Sequence, residues 1–328
     1  MSILVTGGTG LIGSHIVRQL MEQGRDVVAF DRLPPPPKVN ALADVADRLK
    51  LELGNVTDLA NLLHVIKRHK VQGIIHCASM VAGVANQYPL EALNVNIIGS
   101  ANMLEAARIM GLGRVIIFSS SGVMGAPEDV VTPRKEEEIV LPASGIYPLS
   151  KLACEHMVHT YRQLYGVDTI SIRPRCVYGP GETRYHHPLP IYQAVFDALA
   201  GKDIIRETGG DTSFDYTYVK DAALGTIQAY DCKAPSYHVY CISRGRNTRM
   251  SEVCDVIKTL FPKLRVEVGP GLWGGILARG NQSDLTYRSS QRPPQDITRA
   301  RTDFAYNPTW DVERAIPDWV NWLKKTMN

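Results

Sequence analysis

Short apolar runs alternate with longer helix-like stretches through the first half of the chain. Ile3-Leu4-Val5, Val27-Val28-Ala29-Phe30, Leu49 to Leu53, Gly73-Ile74-Ile75-His76 and Val115-Ile116-Ile117-Phe118 predict five strands. Gly13 to Gln23 and Leu59 to His69 predict helices between them. A further helix is expected over Leu149 to Tyr165, followed by a sixth strand at Thr169 to Ile172. Strand and helix in alternation require crossover connections. The expected fold is therefore α/β, a doubly wound parallel sheet of the Rossmann kind with helices on both faces. Pro34-Pro35-Pro36-Pro37 suits neither a helix nor an inner strand and predicts a stiff surface loop. Beyond about Pro174 the pattern breaks into short pieces punctuated by Gly179-Pro180-Gly181, Gly209-Gly210 and Gly269-Pro270-Gly271. A smaller lobe is expected there, with some late segments returning to the first sheet.

Thr6-Gly7-Gly8-Thr9-Gly10-Leu11-Ile12-Gly13 lies between the first strand and the first helix. Glycines at 7, 10 and 13 let the backbone turn tightly and approach a pyrophosphate. The helix start then offers free N–H groups and the positive end of a dipole. Strand, loop and helix in this order predict dinucleotide binding. Asp31 ends the second strand, where a carboxylate accepts bonds from the adenosine ribose and repels a 2′-phosphate, so NAD is expected over NADP. Arg32 next to it is the one local argument for a phosphate. Asn55 and Val56, after the third strand, suit the border of the adenine, and Ala78 and Ser79, after the fourth, allow a cofactor to lie against the chain. His76 reads as a satisfied core histidine.

Tyr147 and Lys151 stand four apart, and they share one face if Lys151 is in the first turns of a helix. A phenol is a poor base at neutral pH, and a neighbouring ammonium stabilises its phenolate. Ser119-Ser120-Ser121 ends the fifth strand at the carboxyl edge of the sheet, where ligands of open parallel sheets bind. A hydroxyl there can donate to a substrate oxygen.

These residues, with Asn96-Ile97-Ile98-Gly99-Ser100, Arg173-Pro174 and Val177 to Gly181, resemble an extended short-chain dehydrogenase/reductase of the NAD-dependent epimerase/dehydratase family over nearly the whole length. The resemblance implies an NAD-binding domain over 1–173 and a mainly substrate-binding lobe over 174–328. It implies a catalytic triad of Ser120, Tyr147 and Lys151, the serine being counted back from the turn glycine Gly125, with Ser121 as the adjacent candidate. Tyr147 would be the general acid/base, and Lys151 would serve both the phenol and the nicotinamide ribose. Asn96 would support the cofactor pocket, and Pro174 and Val177 would lie near the nicotinamide. It also implies a homodimer formed by the helix after Pro89 and the helix of Tyr147.

Three departures from the family pattern bear on the substrate. Ser121 and Gly122 stand where dehydratases carry acidic residues, which disfavours elimination of water. Cys176 replaces an asparagine common in sugar-nucleotide enzymes. Phe214 replaces an arginine that grips a diphosphate, and an apolar ring cannot do that. Arg279, Arg288 and Arg292 remain alternative sources of charge. Arg184-Tyr185-His186-His187 reads as a solvated loop by default. The sharper reading has Arg175, His186 or His187 touching a polar substrate, and a metal site is not expected.

Composition narrows the partners. With 36 Lys and Arg against 33 Asp and Glu, the formal charge is +3, too balanced for an extended nucleic-acid footprint or a polybasic membrane anchor. No apolar run is long enough for a membrane span. The six cysteines show no paired spacing, and the chain opens on a strand rather than a leader, so a reducing, cytoplasmic setting is expected. The leading expectation is an NAD-dependent oxidoreductase acting on a secondary alcohol or ketone of a small polar or sugar-like substrate. A nucleotide-sugar epimerase holding its NAD tightly is the alternative. A non-catalytic cofactor sensor would not need Tyr147 and Lys151.

Overall fold

The computed structural model describes residues 2–34, 41–125, 132–139, 143, 145–181, 189–273 and 293–327. Six strands lie close to their expected places: β1 (Ser2–Thr6), β2 (Asp26–Asp31), β3 (Lys50–Leu53), β4 (Val71–His76), β5 (Val115–Phe118) and β6 (Thr169–Pro174). A seventh strand, Val239–Ile242, returns from late in the chain and pairs with β6. All pairings in this sheet are parallel. The order runs from Val239–Ile242 through β6, β5, β4 and β1 to β2 and β3. The chain therefore winds outward in both directions from the β1–β4 pair, the switch point where ligands bind in such sheets.

Side-chain alternation explains why these strands are apolar throughout. Ile3, Val5, Ala29, Ile116 and Phe118 face one layer, with Ile16, Val17 and Leu20 of α1 (Leu11–Glu22). Leu4, Val28, Ile74, Val115 and Ile117 face the other. There they meet α2 (Leu59–Arg68), α5 (Gly99–Met110) and α6 (Ile146–Tyr165). Each face is buried, so neither set of positions is polar. The first layer also takes Ala223 and Ile227 from the helix Val219–Asp231 and Phe304 from the helix Thr298–Phe304. A separate apolar cluster is centred on Tyr178, Tyr192, Phe214, Tyr218 and Trp319. The chain thus passes between two cores more than once after Pro174.

The helix after Pro89 is interrupted. After α3 (Ala82–Gln87), the helix α4 (Pro89–Leu93) runs into a π-helical turn, Asn94–Ile98, and only then into α5. The extra residue in that turn leaves the Asn96 carbonyl to accept from Ser100 Oγ at 2.7 Å and Cys154 Sγ at 3.2 Å.

Two buried histidines make stability pH-dependent. His15 Nε2 lies 2.9 Å from the Pro180 carbonyl, and burial pushes its pKa down to about 4. His76 pairs with Thr6 Oγ1 at 2.6 Å. Burial, then the charge of Lys151, lowers its pKa to about 3. Both stay neutral in the fold but protonate near ~6.5 once unfolded. Stability is therefore whole above about pH 6.5. It falls with acid below that by about 1.4 kcal/mol per pH unit for each ring, until the native values are reached. Denaturant melts at successive pH values check this. His15→Gln should flatten the slope, and an unchanged slope would contradict the assignment.

Candidate active site

The glycine loop carries the features a dinucleotide needs. Gly7 has φ +65°, and a Cβ on it would sit 2.6 Å from the Ala78 backbone nitrogen. A Cβ on Gly13 would sit 2.1 Å from the Gly7 carbonyl oxygen. Gly10 precedes α1 with no side-chain cap, so the first-turn N–H groups of Leu11, Ile12 and Gly13 remain available to an anion. The Ala78–Ser79 segment follows β4 and borders Gly7, across the switch point.

Asp31, at the end of β2, faces the same loop. Its Oδ2 accepts from Thr9 N at 3.0 Å and Thr9 Oγ1 at 2.7 Å, and its Oδ1 from Arg32 N at 2.8 Å. The Arg32 guanidinium reaches away to Glu91, 3.5 Å distant. The cation that would favour a 2′-phosphate is thus directed to a carboxylate. Asn55 forms its own turn, its Oδ1 accepting from Thr57 N at 3.1 Å, and the carbonyl of buried Val56 accepts from Asn102. These groups fit NAD.

The catalytic candidates converge on the carboxyl edge of β5. The helix α6 opens at Ile146, earlier than expected, after Gly145 with φ +133°. Tyr147 is therefore in its first turn, where Pro148 is tolerated. Lys151, one turn on, is buried. Its Nζ donates to the Phe118 carbonyl at 2.8 Å and lies 5.7 Å from the centre of the Tyr147 ring. Ser120 is extended, and its Oγ accepts from Gly122 N at 3.0 Å. It lies near enough to Tyr147 to favour that phenol's ionised form. Burial pushes the Tyr147 pKa up to about 12, and the Ser120 hydrogen bond works in the opposite direction. Burial likewise lowers that of Lys151. Ser121 instead starts a short 3-10 turn, Ser121–Met124, that ends at Gly125 with φ +60°.

Asn96 ties this helix to the segment after β4. Its Nδ2 donates to the Met80 carbonyl and to Ser150 Oγ, and its Oδ1 accepts from Ser79 Oγ and Met80 N. Ser150 donates in turn to the Tyr147 carbonyl at 2.8 Å.

One group escaped the sequence reading. Ser119 Oγ donates to Glu155 Oε1 at 2.5 Å, and Arg173 grips both oxygens of Glu155 at 2.7 Å. All three side chains are buried. The available signal was spacing: Glu155 is four after Lys151 and eight after Tyr147, hence on their helix face.

The substrate candidates are scattered. Cys176 lies between β6 and the strand Val177–Tyr178, with φ +43°. That left-handed conformation costs a non-glycine residue about 1 kcal/mol and suits asparagine better than cysteine. Arg175 is buried and donates to the Pro293 carbonyl at 2.6 Å, beside the Asp215 carboxylate. Phe214 is 4% exposed and stacks 5.4 Å from Tyr216 inside the second cluster. His186 and His187 lie outside the described residues, as do Arg279, Arg288, Arg292 and the prolines after Pro34. Among the described residues, no cluster of His, Cys, Asp or Glu is arranged to hold a metal, and no helix is long and apolar enough to cross a membrane.

Residues 3–243 match the model of the NAD dependent epimerase/dehydratase family. The chain belongs to that family. It is an NAD-dependent enzyme of the extended short-chain dehydrogenase/reductase type. Among its relatives, a putative UDP-glucose 4-epimerase of Methanocaldococcus jannaschii is 28% identical over 330 residues, spanning 98% of each chain. The fold is similar to that of UDP-glucose 4-epimerase from Thermotoga maritima, solved with UDP-glucose (TM-score 0.81, 24% identity, all of both chains). It is also similar to an L-threonine dehydrogenase from Cupriavidus necator (TM-score 0.75, 23% identity, 98% of this chain and 99% of that one). This family fold therefore carries substrates of very different size, and fold alone does not choose among them.

Proposed function

We propose that this family member oxidises a secondary alcohol, or reduces the matching ketone, on a small polar or sugar-like substrate, using Ser120, Tyr147 and Lys151. The reading rests on one observation: at the carboxyl edge of β5 the buried Lys151 ammonium donates to the Phe118 carbonyl and lies 5.7 Å from the centre of the Tyr147 ring, with Ser120 two residues past Phe118. Bound NAD supplies the hydride acceptor or donor at the reacting carbon. Tyr147 takes the proton of the substrate hydroxyl in oxidation and returns it in reduction. Ser120 donates to the reacting oxygen and holds its direction. The ammonium of Lys151 offsets the burial that opposes phenolate formation. The glycine loop, Asp31, the Ala78–Ser79 segment, Asn96, Pro174 and Val177 are assigned to the cofactor. The lobe around Phe214 and Cys176 is assigned to the substrate.

A nucleotide-sugar epimerase would use the same three residues, and the names of the relatives favour it. Phe214 weighs against it, because its ring is packed in an apolar cluster where a diphosphate would need a guanidinium. Purified protein with added NAD and a panel of polyols, sugars, sugar acids and UDP-sugars separates the readings. Growth of reduced-cofactor absorbance with a small substrate supports the proposal, and none with any alcohol opposes it.

The same reading includes a homodimer. Leu90 on α4 is 82% exposed, and Tyr88 beside it and Leu149 on α6 are also exposed. A second copy would cover them. Sedimentation at micromolar concentration should show the dimer, and monomer alone would refute it.

A further inference from the structure

The three consecutive serines at the end of β5 face different environments. Ser119 is the last residue held by the sheet, its N–H donating to the Ile172 carbonyl at 2.8 Å. Alternation sends its side chain to the same layer as Ile117, toward α6. There its hydroxyl meets Glu155, whose carboxylate is already fixed by Arg173. Arg173 is fixed in turn by donating to the Glu136 carbonyl at 2.8 Å. Ser120 follows, its Oγ accepting from Gly122 N and its hydroxyl favouring the ionised form of Tyr147. The preceding carbonyl, Phe118, receives Lys151. Phe118, at the end of β5, and Ser119 just after it are therefore both tied to α6, Phe118 through the buried ammonium of Lys151 and Ser119 through a carboxylate that Arg173 already holds.

We propose that Ser119 is a positioning residue: by donating to Glu155 it locks the end of β5 to α6, so that the Ser120 hydroxyl is presented to Tyr147. This rests on the reading that Ser120 and Tyr147 work as a pair. Removing the Ser119 hydroxyl leaves the Glu155–Arg173 pair intact, so the fold should survive. It frees the chain end after β5, and Ser120 with it, to shift relative to Tyr147. A hydrogen bond donated to a phenolate oxygen favours the ionised form, and weakening it raises the pKa of the phenol.

The test reads Tyr147 directly and needs no substrate. NAD-loaded protein is titrated through the alkaline range by phenolate ultraviolet absorbance, and the curve of Tyr147→Phe is subtracted. In Ser119→Ala the remaining Tyr147 transition should move up by about one pH unit. In Ser119→Thr, which keeps the hydroxyl, it should return toward the unmodified value. NAD affinity should change less than twofold in both. If Ser119→Ala melts lower yet titrates like the unmodified protein, Ser119 is merely structural and the proposal is overturned. If the Tyr147 transition is unchanged in Ser120→Ala, the Ser120–Tyr147 reading itself fails. Should Ser119→Ala not fold, Ser119→Cys, a weak donor of similar size, takes its place with the same expected direction and the same overturning result.

Discussion

Tyr147→Phe lowers turnover by ~10²–10⁴-fold while the protein folds and binds NAD as before. Only one hydroxyl is removed, from a half-buried ring whose remaining atoms keep their packing in the first turn of α6. What goes is the group proposed to exchange a proton with the substrate oxygen. The pH dependence carries the same signature. In oxidation the working form is phenolate, so the unmodified rate rises with pH through the Tyr147 transition. Burial, only partly opposed by the Ser120 hydrogen bond, places that transition at about 12. Lys151 and the positive nicotinamide must bring it lower still for work near neutrality. Steady-state rates and NAD titration of the variant check this. A loss of less than ~10-fold would remove Tyr147 from the chemistry. Ser120→Ala should cost more than Ser121→Ala, since Ser121 has turned into the 3-10 segment.

Asp31→Ala weakens NAD by about 10–100-fold and improves NADP, narrowing or reversing the preference. Two effects combine in that variant. The carboxylate is the expected partner of the ribose, and it also holds the glycine loop through both donors of Thr9. Asp31→Asn separates them. An amide oxygen can still accept from Thr9, so the loop stays closed while the charge that repels a 2′-phosphate is gone. Equilibrium binding of both cofactors to the three proteins resolves the parts. If the unmodified protein bound NADP more tightly, weight would move to Arg32 and away from its pairing with Glu91.

The two predictions draw on parts of the molecule that the sequence made visible to different degrees. The sheet was legible because both its faces are buried, which writes Val115 to Phe118 and its neighbours as continuous apolar runs. The glycine loop and the Tyr147–Lys151 pair were legible because local backbone and helix spacing form each of them, and Asp31 because it ends the strand paired with β1. The π-helical turn at Asn94–Ile98 was not, since one added residue leaves the apolar pattern almost unchanged. Nor was the opening of α6 at Ile146, which depends on the backbone of Gly145. Around the second apolar cluster the strands pair over only two or three residues, Ser213–Phe214 with Thr248–Arg249 and Ile204–Arg206 with Val266–Val268. Such pairings are too short and too distant in sequence to leave a period. The Ser119–Glu155–Arg173 contact joins a strand end, a helix and a second strand, and only the folded chain brings it together.

The central claim is that this active site handles a small alcohol in exchange with free NAD, rather than a nucleotide sugar on a permanently held cofactor. The most direct measurement incubates the purified protein with UDP-glucose alone, with no NAD added, and follows the sugar by nuclear magnetic resonance. The account predicts that UDP-glucose is recovered unchanged, because Phe214 offers its diphosphate no cation. Conversion to UDP-galactose under those conditions would contradict the account and establish the epimerase reading in its place.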